Sequence, residues 1–135
     1  EMQRYLGKIS GPLLDRIDIH IEVTTVPFEK LSEERKGEGS VDIRKRVTAA
    51  RELQTTRFTT LENVHYNAQM NTKQIREYCK LDEASKLLLK NAMERLNLSA
   101  RAYDRILKVA RTIADLEKFE GGAKAIDQLK LLLWF

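Results

Sequence analysis

The spacing of apolar positions changes once along this chain. Over residues 17–23, Ile17, Ile19, Ile21 and Val23 alternate with Asp18, His20 and Glu22. That is the period-two pattern of a strand with one buried face. Pro27 closes the segment. From Ser40 onward the period is helical. Ser40 can cap a helix running to about Phe58, with Ile43, Val47, Ala50 and Leu53 or Gln54 on one side. Residues 59–70 read as a loop. Asn71 can cap the next helix, with Gln74 as its capping-box partner and Ile75 and Tyr78 facing inward. Asp82 can cap a third, using Ala84, Leu87 or Leu88, Ala92 and Leu96. Ser99 can cap a fourth, with Ile106, Val109 or Ala110, Ile113 and Leu116 on one face. Gly121-Gly122 breaks that pattern, and a last apolar helix is expected from Ala123.

The layout predicts a mainly α chain: a small helical bundle preceded by a short helix and strand. Residues 1–8 read as a helix end stopped by Gly7, Gly11 and Pro12. Residues 29–40 read as a polar linker. A lone strand cannot satisfy its own backbone donors and acceptors. The alternating segment is therefore expected either to pair with residues upstream of the chain or to lie displaced. The chain reads as a piece of a longer protein.

Composition narrows the function classes. The 135 residues are 42% hydrophobic and 33% charged, with a net charge of +4. That is a globular composition with a mildly basic surface, compatible with an anionic partner. A single cysteine, Cys79, excludes an internal disulfide and fits a reducing, cytoplasmic setting. No apolar run approaches the roughly 20 residues of a membrane span. His20 and His65 are the only histidines, and with one cysteine they provide no zinc-ligand spacing. No serine, histidine and acid arrangement is readable. The candidate chemistry lies in arginines.

Arg16 follows a Gly-Pro turn and precedes the alternating segment, so it sits on a short, stiff connection. Its planar, permanently charged fork suits phosphate oxygens of a neighbouring subunit. The alternative is an ion pair with Asp15 or Asp18. Arg101 falls in the first turn of the helix that Ser99 caps, where free N–H groups and the helix dipole favour an anion. A cation there needs Asp104 beside it or an external anion. Arg105 and Lys108 continue that face as a basic stripe, with a solvated charged face as the alternative. Arg44, Arg46, Arg51 and Arg57 make the helix after Ser40 basic, and this surface reads as a solvated face in preference to a DNA groove. Tyr66 and Phe58 could stack on bases, although Phe58 at a helix end suits a core.

Three stretches carry a resemblance. "RYLGKISGPLLDRIDIHIEV", "DIRKRVTAAREL" and "LSARAYDRILKVARTIADL", in this order, resemble the C-terminal portion of the magnesium-chelatase-like AAA+ ATPases, within them the ComM/YifB competence-protein group. The resemblance covers roughly residues 3–117. It implies that residues 1–28 are the end of an AAA+ core, 29–40 a linker, 41–120 a helical lid, and 121–135 an atypical tail. It implies that Arg16 is the arginine finger and Arg101 the sensor 2 arginine, with Arg105 and Lys108 as further anion or nucleic-acid contacts. It implies a ring, expected to be a hexamer, that uses ATP and Mg²⁺ and acts on branched or single-stranded DNA without a membrane.

The sequence also departs from that pattern. There is no G-x-x-x-x-G-K-[ST] and no apolar strand ending in Asp-Glu, so the chain alone is expected to bind no cofactor and to be inactive. It ends "AIDQLKLLLWF", where the group has a helix followed by a Tyr-Arg-Ser-Leu-like run. Two other functions remain open at this point: a subunit of a porphyrin magnesium chelatase, and a non-enzymatic helical module that binds DNA or protein.

Overall fold

The structure is a computed structural model. It describes residues 37–117 without a break, together with Leu13, residues 16–19, Ile21, Val23, Thr25 and Phe28. The helix end expected over residues 1–8 and the helix expected from Ala123 lie outside the described residues. Over the continuous described stretch four α-helices follow in order: α1 Ser40–Arg57, α2 Thr72–Tyr78, α3 Glu83–Arg95 and α4 Ala100–Leu116, with a 3₁₀ turn at Asn67–Gln69 before α2. The expected mainly α bundle is thus present.

Local signals set most of the helix starts. The Asn71 side chain accepts from the Gln74 backbone N–H at 3.0 Å, and Gln74 Oε1 accepts from the Asn71 N–H at 2.8 Å. This closes the capping box in both directions. Asp82 accepts from the Ser85 N–H at 2.8 Å, and Ser99 from the Ala102 N–H at 3.2 Å. Helix α1 departs from expectation. Its cap is Gly39, Ser40 is already helical, and no side chain bonds its first turn.

The core is built from α2, α3, α4 and the loop after α1. Phe58, Val64, Met70, Ile75, Cys79, Leu89 and Leu107 form one buried cluster, with Tyr78, Leu81, Met93 and Ile106 packed against it. Phe58 meets the Tyr78 ring edge-on, 5.4 Å between centroids, the arrangement that the aromatic quadrupole favours. Along α1 only Ala50 and Gln54 are buried, while Ile43, Val47 and Leu53 are exposed. Of the positions expected to face inward in α3, Leu88, Ala92 and Leu96 are half-buried while Ala84 and Leu87 are exposed, and the fully buried residues are Ser85 and Leu89. Leu107, Ala110 and Ala114 form the buried line of α4, flanked by half-buried Ile106, Val109, Ile113 and Leu116.

The alternating segment is not a strand at any described position. Exposure rises from 46% at Ile17 to 88% at Val23, so the predicted buried face is absent there. Among the described residues no helix is long and apolar enough to cross a membrane.

Candidate functional site

The turn between α3 and α4 decides where Arg101 stands. Asn97 adopts φ +49°, in the left-handed region. Its N–H donates to the Glu94 carbonyl at 3.4 Å, and the Leu98 N–H donates to the Met93 carbonyl at 3.0 Å. This is a Schellman closure with Asn where glycine is more usual. It turns the chain within three residues, so that Ser99 caps α4 at once. Arg101 then lies in the first turn of α4, exposed, and its side chain makes no ion pair or hydrogen bond with a described residue. Asp104, its expected neighbour, instead accepts from Thr72 Oγ1 at 3.2 Å and ties α4 to the start of α2.

The rest of the stripe is engaged. Arg105 Nε stands 3.1 Å from Asp18, and Lys108 Nζ donates to the Ala68 carbonyl at 2.9 Å. Asp18 is therefore an acid partner of Arg105, and no contact joins it to Arg16 among the described residues. Arg16 is exposed, in a turn where its backbone N–H donates to the Leu13 carbonyl at 3.0 Å. Its other candidate partner, Asp15, lies outside the described residues. Of the four basic positions, Arg16 and Arg101 present guanidiniums unpaired with any described residue. A groove of about 960 Å³ opens beside the first turns of α4, lined by Ala100, Tyr103, Lys80 and Lys86 among others, but Arg101 is not on its wall.

The opposite end of α4 holds a group that periodicity did not reveal. Asp115 is wholly buried. Arg57, at the last position of α1, grips it with both terminal nitrogens; Nη1 reaches Oδ2 at 2.8 Å and Nη2 reaches Oδ1. The same Nη1 donates to Asn67 Oδ1 at 2.8 Å. Asn67, also buried, donates through Nδ2 to Asp115 at 2.8 Å and to Thr112 Oγ1 at 3.1 Å, while its backbone N–H reaches Gln54 Oε1 at 3.3 Å. Arg111 Nε lies 3.3 Å from the same carboxylate but is misaligned and makes no hydrogen bond. Two guanidiniums thus share one carboxylate. Burial pushes the Arg111 pKa below its usual value, and the neighbouring Arg57 charge adds to that.

Arg57 had read as part of a solvated face of α1, and the structure corrects this. A charged residue at i, with its partner 58 positions away, leaves no signal in a window of one helix. The one available hint was Asp115 itself, an acid amid the apolar positions of α4.

Cys79 caps the C-terminal end of α2 and is buried in the apolar cluster, where it packs as a small hydrophobe. Burial pushes its thiol up to about 11, with Arg111 and Arg57 pulling the other way.

A capped helix start with one unpaired guanidinium suits a phosphate oxygen. A loop that could cradle a triphosphate is not in the sequence. The residues fit a contact to a nucleotide held elsewhere.

The family described as magnesium chelatase, subunit ChlI C-terminal, matches residues 37–127, and the family described as magnesium chelatase, subunit ChlI, matches residues 1–31. The chain is 43% identical to the competence protein ComM of Haemophilus influenzae over 118 residues, 87% of this chain. It is 42% identical to the uncharacterized protein YifB of Escherichia coli over 116 residues, 85% of this chain. It is 37% identical to the uncharacterized protein Mb2921c of Mycobacterium bovis over 114 residues, 84% of this chain. In each case the match spans 22% of the relative's length.

Proposed function

Because the chain belongs to the magnesium chelatase subunit ChlI C-terminal family, we propose that it is the lid portion of an AAA+ ATPase ring and supplies two arginines to the nucleotide. Arg101 is the sensor 2 residue, and Arg16 is the arginine finger. The observation that supports this is the exposed Arg101 in the capped first turn of α4, with no described partner, while Asp104 beside it is bonded to Thr72. A cation at a helix N-terminus is locally unfavourable. Its placement there is explained by an anion that arrives from outside.

ATP with Mg²⁺, held by parts of the ring outside this chain, would supply the phosphoryl group and most of its charge neutralisation. Within this chain, Ser99 fixes the start of α4 and thereby the origin of the Arg101 side chain. Arg101 then offers a planar fork to phosphate oxygens. Arg16, on its turn, would reach across a subunit junction and meet the charge that builds during transfer. An arginine supplied in this way is worth about 10³–10⁵ in rate. The ring's task is read as remodelling or branch migration of DNA, since "SGPLLDRID" and "LSARAYDRILKVARTIADL" look closer to the ComM/YifB branch than to the porphyrin chelatases.

The test is ATP hydrolysis by the full-length protein carrying Arg16→Ala. Binding should stay nearly intact and turnover should fall by about 10³ or more. Adding subunits that lack a working phosphate-binding loop but keep Arg16 should restore part of it. Hydrolysis at the wild-type rate would reduce Arg16 to a surface charge.

A further inference from the structure

The basic face of α1 and the loop before α2 come together in a way that the nucleotide reading does not use. Arg44 and Arg51 are seven residues apart, so they share one face of α1, about 10 Å apart along its axis. Both are exposed. Neither has a carboxylate partner among the described residues, whereas their neighbours do: Lys45 pairs with Asp42 and Arg46 with Glu38. Glu52 follows Arg51 in sequence but projects about 100° round the helix from it. The Arg51 guanidinium carbon sits 4.7 Å from the centre of the Tyr66 ring. Tyr66 is 39% exposed as a residue, and the His65 ring stands 6.4 Å away.

The platform is firmly planted. Gln69 Oε1 accepts from the backbone N–H of His65 at 2.8 Å and of Tyr66 at 3.3 Å. The next residue, Asn67, is held in the buried Arg57–Asp115 group. Tyr66 is therefore an aromatic face on rigid backbone, stacked with one guanidinium, with a second guanidinium further along the helix. An aromatic face takes a base of any identity, and guanidiniums take phosphates or stack in turn.

We propose that Arg44, Arg51 and Tyr66 form a contact surface for single-stranded nucleic acid, separate from the Arg101 turn. The choice of nucleic acid rests on the reading of the ring as a DNA-remodelling ATPase. The test reads binding and not hydrolysis, so the two can fail independently.

The measurement is fluorescence anisotropy of a fluorescein-labelled 20-nucleotide oligo(dT) titrated with the 135-residue chain, repeated over a salt series. Circular dichroism and urea midpoints confirm that each variant is folded. Tyr66→Ala should weaken binding about tenfold or more, and Tyr66→Phe should stay within about a factor of two, because the π-face is kept. Arg44→Gln should lower the salt slope by about 0.7, the loss of one phosphate contact on a single strand. Arg51→Lys should bind less well than wild type although the charge is kept. Three outcomes would overturn the proposal: no measurable binding by wild type, Tyr66→Ala binding like wild type, or poly-glutamate competing as well as oligo(dT). The last would mean a surface for acidic protein.

Discussion

Helix α4 meets arginines at both ends, and the surroundings differ in nearly every respect. At its C-terminal end, Arg57 and Arg111 close on the wholly buried Asp115, with Asn67 and Thr112 completing the group. At its N-terminal end, Arg101 stands exposed and unpaired with any described residue. The same side-chain chemistry serves two purposes. Inside, a guanidinium is a cross-brace: it joins the end of α1, the 3₁₀ turn and the end of α4, which backbone hydrogen bonds alone do not link. Outside, it is a charge whose local environment is unfavourable and which finds no partner among the described residues. Residue type does not distinguish the two; burial and available acceptors do.

The comparison can be broken most forcefully at Asp115. Asp115→Ala leaves two buried guanidiniums without a carboxylate and should cost about 3–5 kcal/mol in urea unfolding. The two arginines should then prove unequal. Arg57→Met removes three hydrogen bonds and should cost several kcal/mol, whereas Arg111→Met removes a misaligned like charge and should cost about 1 kcal/mol or less. Equal losses would mean that Arg111 braces the group as much as Arg57 does.

Next in size is a pH effect at Cys79. Its folded thiol keeps its proton up to about 11, while an unfolded cysteine loses it near 8.5. The stability from this site is fully present below the unfolded value and declines as pH rises toward 11, by about 3 kcal/mol at most. Cys79→Ala should flatten the stability profile over that window. Ser99→Ala should cost about 1 kcal/mol by uncapping α4, and amide exchange should quicken in its first turn.

These contrasts also explain what the sequence could reveal. The caps at Asn71, Asp82 and Ser99 were legible because each depends on a residue and its neighbour three positions on. The inward face of α3 was legible at Ala92 and Leu96 but open between Leu87 and Leu88, because Leu87, Leu88 and Leu89 in succession carry no period. The exposed Ile43 and Val47 show the converse, a helical stripe that the described packing does not cover. Arg57 was invisible as a core residue, since its partners Asn67 and Asp115 come from distant elements. Asn97 in the left-handed region was missed for want of a glycine at that position. Arg101 was legible as a candidate because its turn is local, but the hydrogen bond that Asp104 accepts from Thr72, in place of a contact with Arg101, is a tertiary fact.

The central claim is that Arg101 is spared from folding so that it can meet a phosphate. The most direct measurement is steady-state ATP hydrolysis by the full-length protein carrying Arg101→Ala, with its urea midpoint determined on the same preparation. The midpoint should move by no more than about 0.5 kcal/mol, as for an exposed side chain with no partner. Turnover should fall about tenfold or more, because a guanidinium aimed at phosphate charge is lost. Wild-type turnover in a protein of wild-type stability would contradict the account, and would leave Arg101 a solvated charge at the start of a helix.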